Sequence, residues 1–476
     1  MRAVLALLLV VLLAAGAFWW LKFEHHPPHA ALGTVLTVLG RKTPIDVDVQ
    51  SDAPGLRNVA VRLQAGGAAF ELLAESYPKV SWRGSGITDK RLHIETDLAQ
   101  LKVPEGPATL DVFIETYAWH VLPPPHAAVL SIPLTVDMTP PRIELLTTQH
   151  NVRLGGVELA VFRQSPDTVE SGIQVDRYFF PAITGYFADH DAALAFFAIP
   201  QDLSADVRPR LIARDAAGNE RDIYLPCAIK PREFAERTLA IDDDFLSRKV
   251  PEIEHDNGLP IAADLVKGYL QINGDLRRQN EARIRELTAH PTATALWDGT
   301  FHRQSNAAPL SSFADRRTYS YKGEVIDHQT HLGYDLASLK LSPVEAAQNG
   351  IVVYADNLGI YGNAVILDHG LGIYSLYGHL SSIAVRPGDR VKTAQTLGQT
   401  GETGLAGGDH LHFSIMLRGV HVDPVEWWDP HWLHDHVTPK LTMLPRPAGG
   451  AAGLKSAPGS GTTPPPAGEE HEQARP

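Results

Sequence analysis

The stretch GGDHLHFSI, Gly407 to Ile415, sets two histidines two positions apart among apolar residues. In a strand, alternate side chains share a face, so His410 and His412 point one way while Leu411 and Phe413 point the other. Two imidazoles on one face of a half-buried strand make sense if a metal lies beside them. Upstream, THLGYDLA supplies His331 and Asp335 in a His-x-Gly-x-Asp spacing, and both are good zinc ligands. Adding one histidine of the HLH pair gives two His and one Asp and leaves a fourth position open. Three protein ligands with an open position are the pattern of a catalytic zinc, whereas structural zinc sites are closed by four. A further histidine, His379 in SLYGHLSS, says little by itself.

The segments around these residues are β in character. SPVEAAQNGIVVYADNLGIYGNAVILDHG and VRPGDRVKTAQTLGQTGETG read as short strands joined by glycine turns. Gly333, with no helical periodicity around it, places His331 and Asp335 at a turn or strand end. Residues 300–436 are therefore expected to form a small β domain carrying the site. Before it, residues 231–299 hold apolar residues at helical spacing with charged faces between them, which predicts a helical connector. Residues 32–137 and 138–230 alternate in short β-branched runs punctuated by Gly, Pro and Asp, which predicts two β-sandwich-like units of roughly immunoglobulin type. Residues 446–476 are rich in Pro, Gly, Ala and Ser and predict a disordered tail. The expected class is mainly β.

The N-terminus carries Arg2, an uncharged run from Ala3 to Leu21, then Lys22. That run is close to the ~20 residues needed to cross a bilayer, and Trp19 and Trp20 sit where an interfacial aromatic belt would lie. Ala15-Gly16-Ala17 resembles a signal-peptidase site. Because the apolar run continues past it, the sequence favours a retained transmembrane anchor over residues 1–22, with a cytoplasmic N-terminus and the rest exported. Net charge is −13, from 42 basic and 55 acidic residues, without a strong basic run, which argues against a nucleic-acid partner. The single cysteine, Cys227, excludes an intramolecular disulfide.

Taken in order, SSFADRRTY, HLGYDLA, SPVEAAQNGIVV, YGNAVILDHG, YGHLS, RPGDRVKTAQTLGQTGETG, HLHFSI and HVDPVEWW make about 120 of the 476 residues resemble the lysostaphin/LytM-type peptidoglycan zinc metallopeptidase family. The resemblance implies one Zn²⁺ per chain held by His331, Asp335 and His412. It implies catalytic roles for His379 and His410, whose division the sequence leaves open. It implies an endopeptidase acting on peptide bonds in peptidoglycan cross-links or stem peptides. Ala314 departs from the pattern, standing where the family usually has glycine. The absence of a lipidation cysteine near the start suits a single-pass protein of the inner membrane with its bulk in the periplasm. A non-catalytic wall-binding regulator of other hydrolases is the alternative, and a protein regulator of this chain is an open partner. The intact ligand set weighs against that alternative. A biotinyl-like carrier, suggested by GDRVKTAQTLGQTG, is disfavoured because the stretch lacks a lysine at a hairpin tip in the expected Met-Lys context. The connector, residues 233–300, or the β units before it, is expected to restrict access to the metal.

Overall fold

The uncharged run between Arg2 and Lys22 has no polar group to interrupt it, and it folds as one 21-residue helix, Arg2–Lys22. Its Val4–Lys22 portion has a mean hydropathy of 2.6, and no residue from 4 to 21 is buried by the rest of the chain. It is long and apolar enough to cross a membrane. The structure is a computed structural model that describes residues 2–23, 26–51, 54–82, 84–119 and 127–447. Nearly all of the expected tail, from 448 onward, lies outside the described residues, as do Met1 and part of the EHHPPHA spacer. The mainly β class expected from the sequence holds.

Contacts divide the chain into two compact units. The first comprises residues 1–141 with 214–221. Its strand Ile45–Gln50 shows the period-two rule directly: Ile45, Val47 and Val49 are buried while Asp46 and Asp48 alternate outward. That strand lies between His29–Leu32 and Asp89–Ile94 in a three-stranded sheet. A second sheet has five strands, in the order Val38–Leu39, Leu130–Val136, Gly106–Thr116, Leu56–Ala65, Ala68–Ser76. Val47, Leu56, Val61, Leu63, Leu110 and Val112 fill the core.

The second unit takes in residues 142–213 and 222 onward. The second β region, the connector and the site-bearing sheet all belong to it. The strand Ala192–Ala198, AALAFFA, is buried at all seven positions, so apolar layers cover both of its faces. One core runs from Leu159, Phe162 and Phe197 to Phe301, Leu336 and Trp427.

The connector begins with a strand, Glu236–Ile241, which pairs in parallel with Arg316–Tyr321. The helix Asp243–Asp256 follows, its N-cap Asp242 accepting from the amide of Phe245. Leu265–Gln271, capped by Asp264, passes through a π turn at Ile272–Leu276 into Arg277–Leu287. Leu246, Val250, Ile253, Tyr269, Ile272 and Ile284 pack on Ile360, Tyr361, Ile366, Tyr374, Leu376 and Met416 of the β domain. The connector is thus half of a core.

The site-bearing sheet runs Ala308–Ser311, Tyr334–Ala337, Leu411–Leu417, Ile373–Leu380, Asn363–Asp368, Gly350–Asn357, Arg390–Val391, with Val420–Val422 also on Leu411–Leu417. Its pairs are antiparallel. Both central strands, Ile373–Leu380 and Leu411–Leu417, are buried throughout.

Candidate metal centre

Strand register brings the candidates together. Asp335 pairs with His412, and His412 pairs on its other side with Gly378, next to His379. His331 enters from the turn after the strand Glu324–Thr330. Its carbonyl accepts from Ala314 N at 2.8 Å and its amide donates to Asp315 O at 2.9 Å. Gly333 is obligatory: a Cβ there would lie 2.4 Å from the His412 ring and 2.7 Å from Ser414 Oγ. Ala314 sits at φ +61° and His379 at φ +63°, the left-handed region that favours glycine. The position usually held by glycine in the family is therefore one whose backbone asks for it.

Three donor atoms converge. His331 Nε2 is 2.9 Å from Asp335 Oδ1 and 3.0 Å from His412 Nδ1, and His412 Nδ1 is 3.0 Å from the same carboxylate oxygen. All three residues are buried. Their outer partners fix which atoms carry protons. His331 Nδ1 must donate to the carbonyl of Ser312 at 2.9 Å, which leaves Nε2 a lone pair in the neutral ring. Ser414 Oγ donates to Leu332 O at 2.8 Å, so it accepts from His412 Nε2 at 3.1 Å, and His412 Nδ1 is a lone pair as well. Two lone pairs and an anionic oxygen face one another with no proton between them. A cation relieves that repulsion. A tetrahedral zinc with ~2.0–2.1 Å bonds needs donors ~3.3 Å apart, a few tenths of an ångström wider than observed, so the donor set fits zinc with slight relaxation.

Charge around the centre is arranged to match. The guanidinium of Arg317 donates to Asp335 Oδ2 at 3.0 Å, leaving Oδ1 for the centre. Burial lowers His412 to about 4 and holds His379 well below the ordinary imidazole range, with neighbouring His410 and His412 adding to the effect. At His410 burial is outweighed by the hydrogen bond and charge of Asp335, and its pKa is raised.

His410 and His379 stand beside the trio, their rings 4.9 Å apart, and His410 Nε2 is 3.6 Å from Asp335 Oδ1. Nδ1 of His410 donates to Gly408 O at 2.7 Å and Nδ1 of His379 to Thr403 O at 2.8 Å, so each neutral ring keeps its lone pair on Nε2. All five candidates line one cavity of about 740 Å³. The connector forms a wall of it with Arg237, Phe245, Arg248 and Tyr269. Glu281, on the Arg277–Leu287 helix, accepts from Tyr361 OH at 2.8 Å and pairs with His421 at 3.2 Å. Burial notwithstanding, these contacts and Arg277 lower Glu281 to about 2. The Tyr361 ring lies 5.2 Å from that of His412.

The sequence nominated His331, Asp335 and His412 as ligands and His379 and His410 as catalytic residues, and the structure lines one cavity with all five. It missed Ser414, Arg317, Tyr361 and Glu281. Ser414 carried a signal, since it lies two residues past His412 on the same strand face. Glu281 carried none, being helical and remote in sequence.

Residues 329–424 match the profile of Peptidase family M23. The chain is 32% identical over 145 residues to the DD-carboxypeptidase/endopeptidase Mpg of Neisseria meningitidis serogroup B, which covers 30% of this chain and 32% of that protein. It is 38% identical over 94 residues to Lipoprotein NlpD of Yersinia enterocolitica, covering 20% of this chain and 96% of that protein. The catalytic domain of the antimicrobial peptidase lysostaphin from Staphylococcus simulans matches at 29% identity with a TM-score of 0.22, covering 25% of this chain and 90% of that one. The chain thus spans about a third of the length of the Neisseria relatives it matches (32%).

Proposed function

Because the chain belongs to peptidase family M23 through its C-terminal domain, we propose that it is a zinc endopeptidase hydrolysing peptide bonds in peptidoglycan cross-links or stem peptides. The observation that carries this reading is the convergence of His331 Nε2, Asp335 Oδ1 and His412 Nδ1 within 3.0 Å, with no proton to reconcile them. These three atoms would hold the ion. Bound there, zinc supplies Lewis acidity, polarising a carbonyl and acidifying water.

The remaining steps belong to side chains. His410 and His379 each offer an Nε2 lone pair beside the centre. One takes the proton of the attacking water and passes it to the departing amine, while the other, once protonated, donates to the developing oxyanion. Arg317 orients Asp335 by donating to Oδ2, which leaves Oδ1 for the centre. The connector wall supports a restricted cleft, in which residues 233–300 limit which peptides reach the centre. The 21-residue apolar helix supports anchoring in the inner membrane as a single pass, with the bulk of the chain in the periplasm beside its wall substrate.

Full-length protein, purified and assayed for bound metal, should carry one zinc per chain. Incubated with isolated sacculi, it should convert cross-linked muropeptides to uncross-linked ones or shorten the stems. Protein without zinc that leaves the muropeptide profile unchanged would overturn the reading in favour of the wall-binding regulator.

A further inference from the structure

The helix Arg2–Lys22 does not run into a free tether. Its last turns are gripped by the first unit. Trp82 stacks on Phe18 with ring centroids 5.6 Å apart and planes inclined by 9°. Trp119 meets Phe18 edge-on at 5.7 Å and Phe23 at 6.2 Å. Lys22 is 5% exposed, and its ammonium donates to Trp82 O at 2.6 Å and lies over both tryptophan rings. The amide of Trp119 donates to Lys22 O at 2.7 Å. The first charged residue after the apolar run is therefore spent on fastening the helix to the β unit.

This geometry fixes depth. Phe18 precedes Lys22 by four residues, ~6 Å along the helix at ~1.5 Å per residue. A ring stacked on Phe18 cannot stand above the level where the apolar run ends. Yet Trp82 and Trp119 remain 53% and 48% exposed, and neighbouring Val80 is 74% exposed. On the helix itself, Trp19 and Trp20 are 56% and 68% exposed. Large apolar side chains from two separate loops and from the helix end thus lie together at one level, with Lys79 exposed beside them. Tryptophan at a bilayer boundary places its apolar body among acyl chains and its N–H among headgroups.

We propose that the first unit is seated on the outer face of the membrane, with Trp82, Trp119 and Val80 inserted at the headgroup level and continuing the belt begun by Trp19 and Trp20. The inference rests on the anchor reading of the helix, and the occupant is the lipid interface itself. The helix and the β unit then make one membrane-embedded body.

The test uses the full chain in vesicles of phosphatidylethanolamine and phosphatidylglycerol. In a Cys227→Ser background, nitroxide labels are placed one at a time at Leu9→Cys and Val80→Cys, with a free water-soluble nitroxide as the aqueous reference. Power saturation then compares collisions with dissolved oxygen and with an aqueous nickel chelate. The seat predicts an oxygen-to-nickel ratio at position 80 several-fold above that of the aqueous reference and below that at position 9. If position 9 is lipid-exposed while position 80 matches the aqueous reference, the anchor stands and the seat is refuted. If position 9 is itself open to nickel, the anchor fails, and the seat fails with it.

Discussion

Removing the hydroxyl of Ser414 tests the lone-pair argument without touching a ligand. Its Oγ accepts from His412 Nε2 at 3.1 Å and donates to Leu332 O at 2.8 Å. In Ser414→Ala nothing holds the His412 proton on Nε2, and the ring can carry it on Nδ1, facing Asp335 and His331. Zinc must then compete with that proton. Loss of an outer partner of this type weakens metal binding roughly 10–100-fold, or ~1.4–2.8 kcal/mol at ~1.4 kcal/mol per factor of ten. The substitution also strands the Leu332 carbonyl, which costs ~1–3 kcal/mol of stability. Titration against a chromophoric zinc chelator reads the first effect, and urea unfolding of zinc-free protein reads the second. The expected result is a zinc Kd weaker by 10–100-fold, on the estimate just given, in a folded protein. Zinc affinity within twofold of wild type would refute the reasoning, whatever the change in stability.

His412→Ala should lose both zinc and activity, whereas His410→Ala should keep zinc near stoichiometric and lose turnover by ~10²–10⁴-fold; equal zinc loss in both would make His410 a ligand. Ala314→Gly relieves a left-handed alanine at φ +61° and should stabilise the protein by ~1 kcal/mol, read by thermal or urea unfolding. Burial, with Asp423 and Glu158 adding to it, lifts Glu426 to about 8 from 4.5, so the folded state holds a proton that the unfolded chain releases above its ordinary carboxylate range. Stability from this group is full below that range and falls as pH rises through about 8. Glu426→Gln should therefore flatten the pH profile and be the more stable protein at alkaline pH, as unfolding at acidic and alkaline pH would show. A chain begun near Ala308 loses Val250, Ile253, Tyr269 and Ile284 from the core they share with the β domain, so it should unfold at lower urea than the whole chain and does not isolate the connector's effect on access.

The site was legible because its chemistry is written locally. His331 and Asp335 are four residues apart, His410 and His412 two, and strand periodicity alone puts the pair on one face. What lay outside local spacing was lost. Glu281 reaches the cavity wall only because the connector packs on Tyr361, and helical periodicity shows an apolar face without naming what covers it. The strand AALAFFA read as one strand of a separate sandwich. Its unbroken apolar run marks burial on both faces, and the second covering layer lies far downstream in the chain. The departure at Ala314 was visible as a residue type, but its cost depends on a positive φ that only the turn around His331 reveals.

The shared core has a consequence in time. The ring of Phe196 packs 6.3 Å from that of Trp427, so a strand made early waits for a partner 231 residues later. At synthesis rates of ~5–20 residues per second that interval is roughly 10–50 s. Throughout it the Ala192–Ala198 strand lacks one apolar covering. A chaperone or the nascent chain itself must shield that strand, and the chain is most vulnerable to aggregation and proteolysis before its last hundred residues arrive.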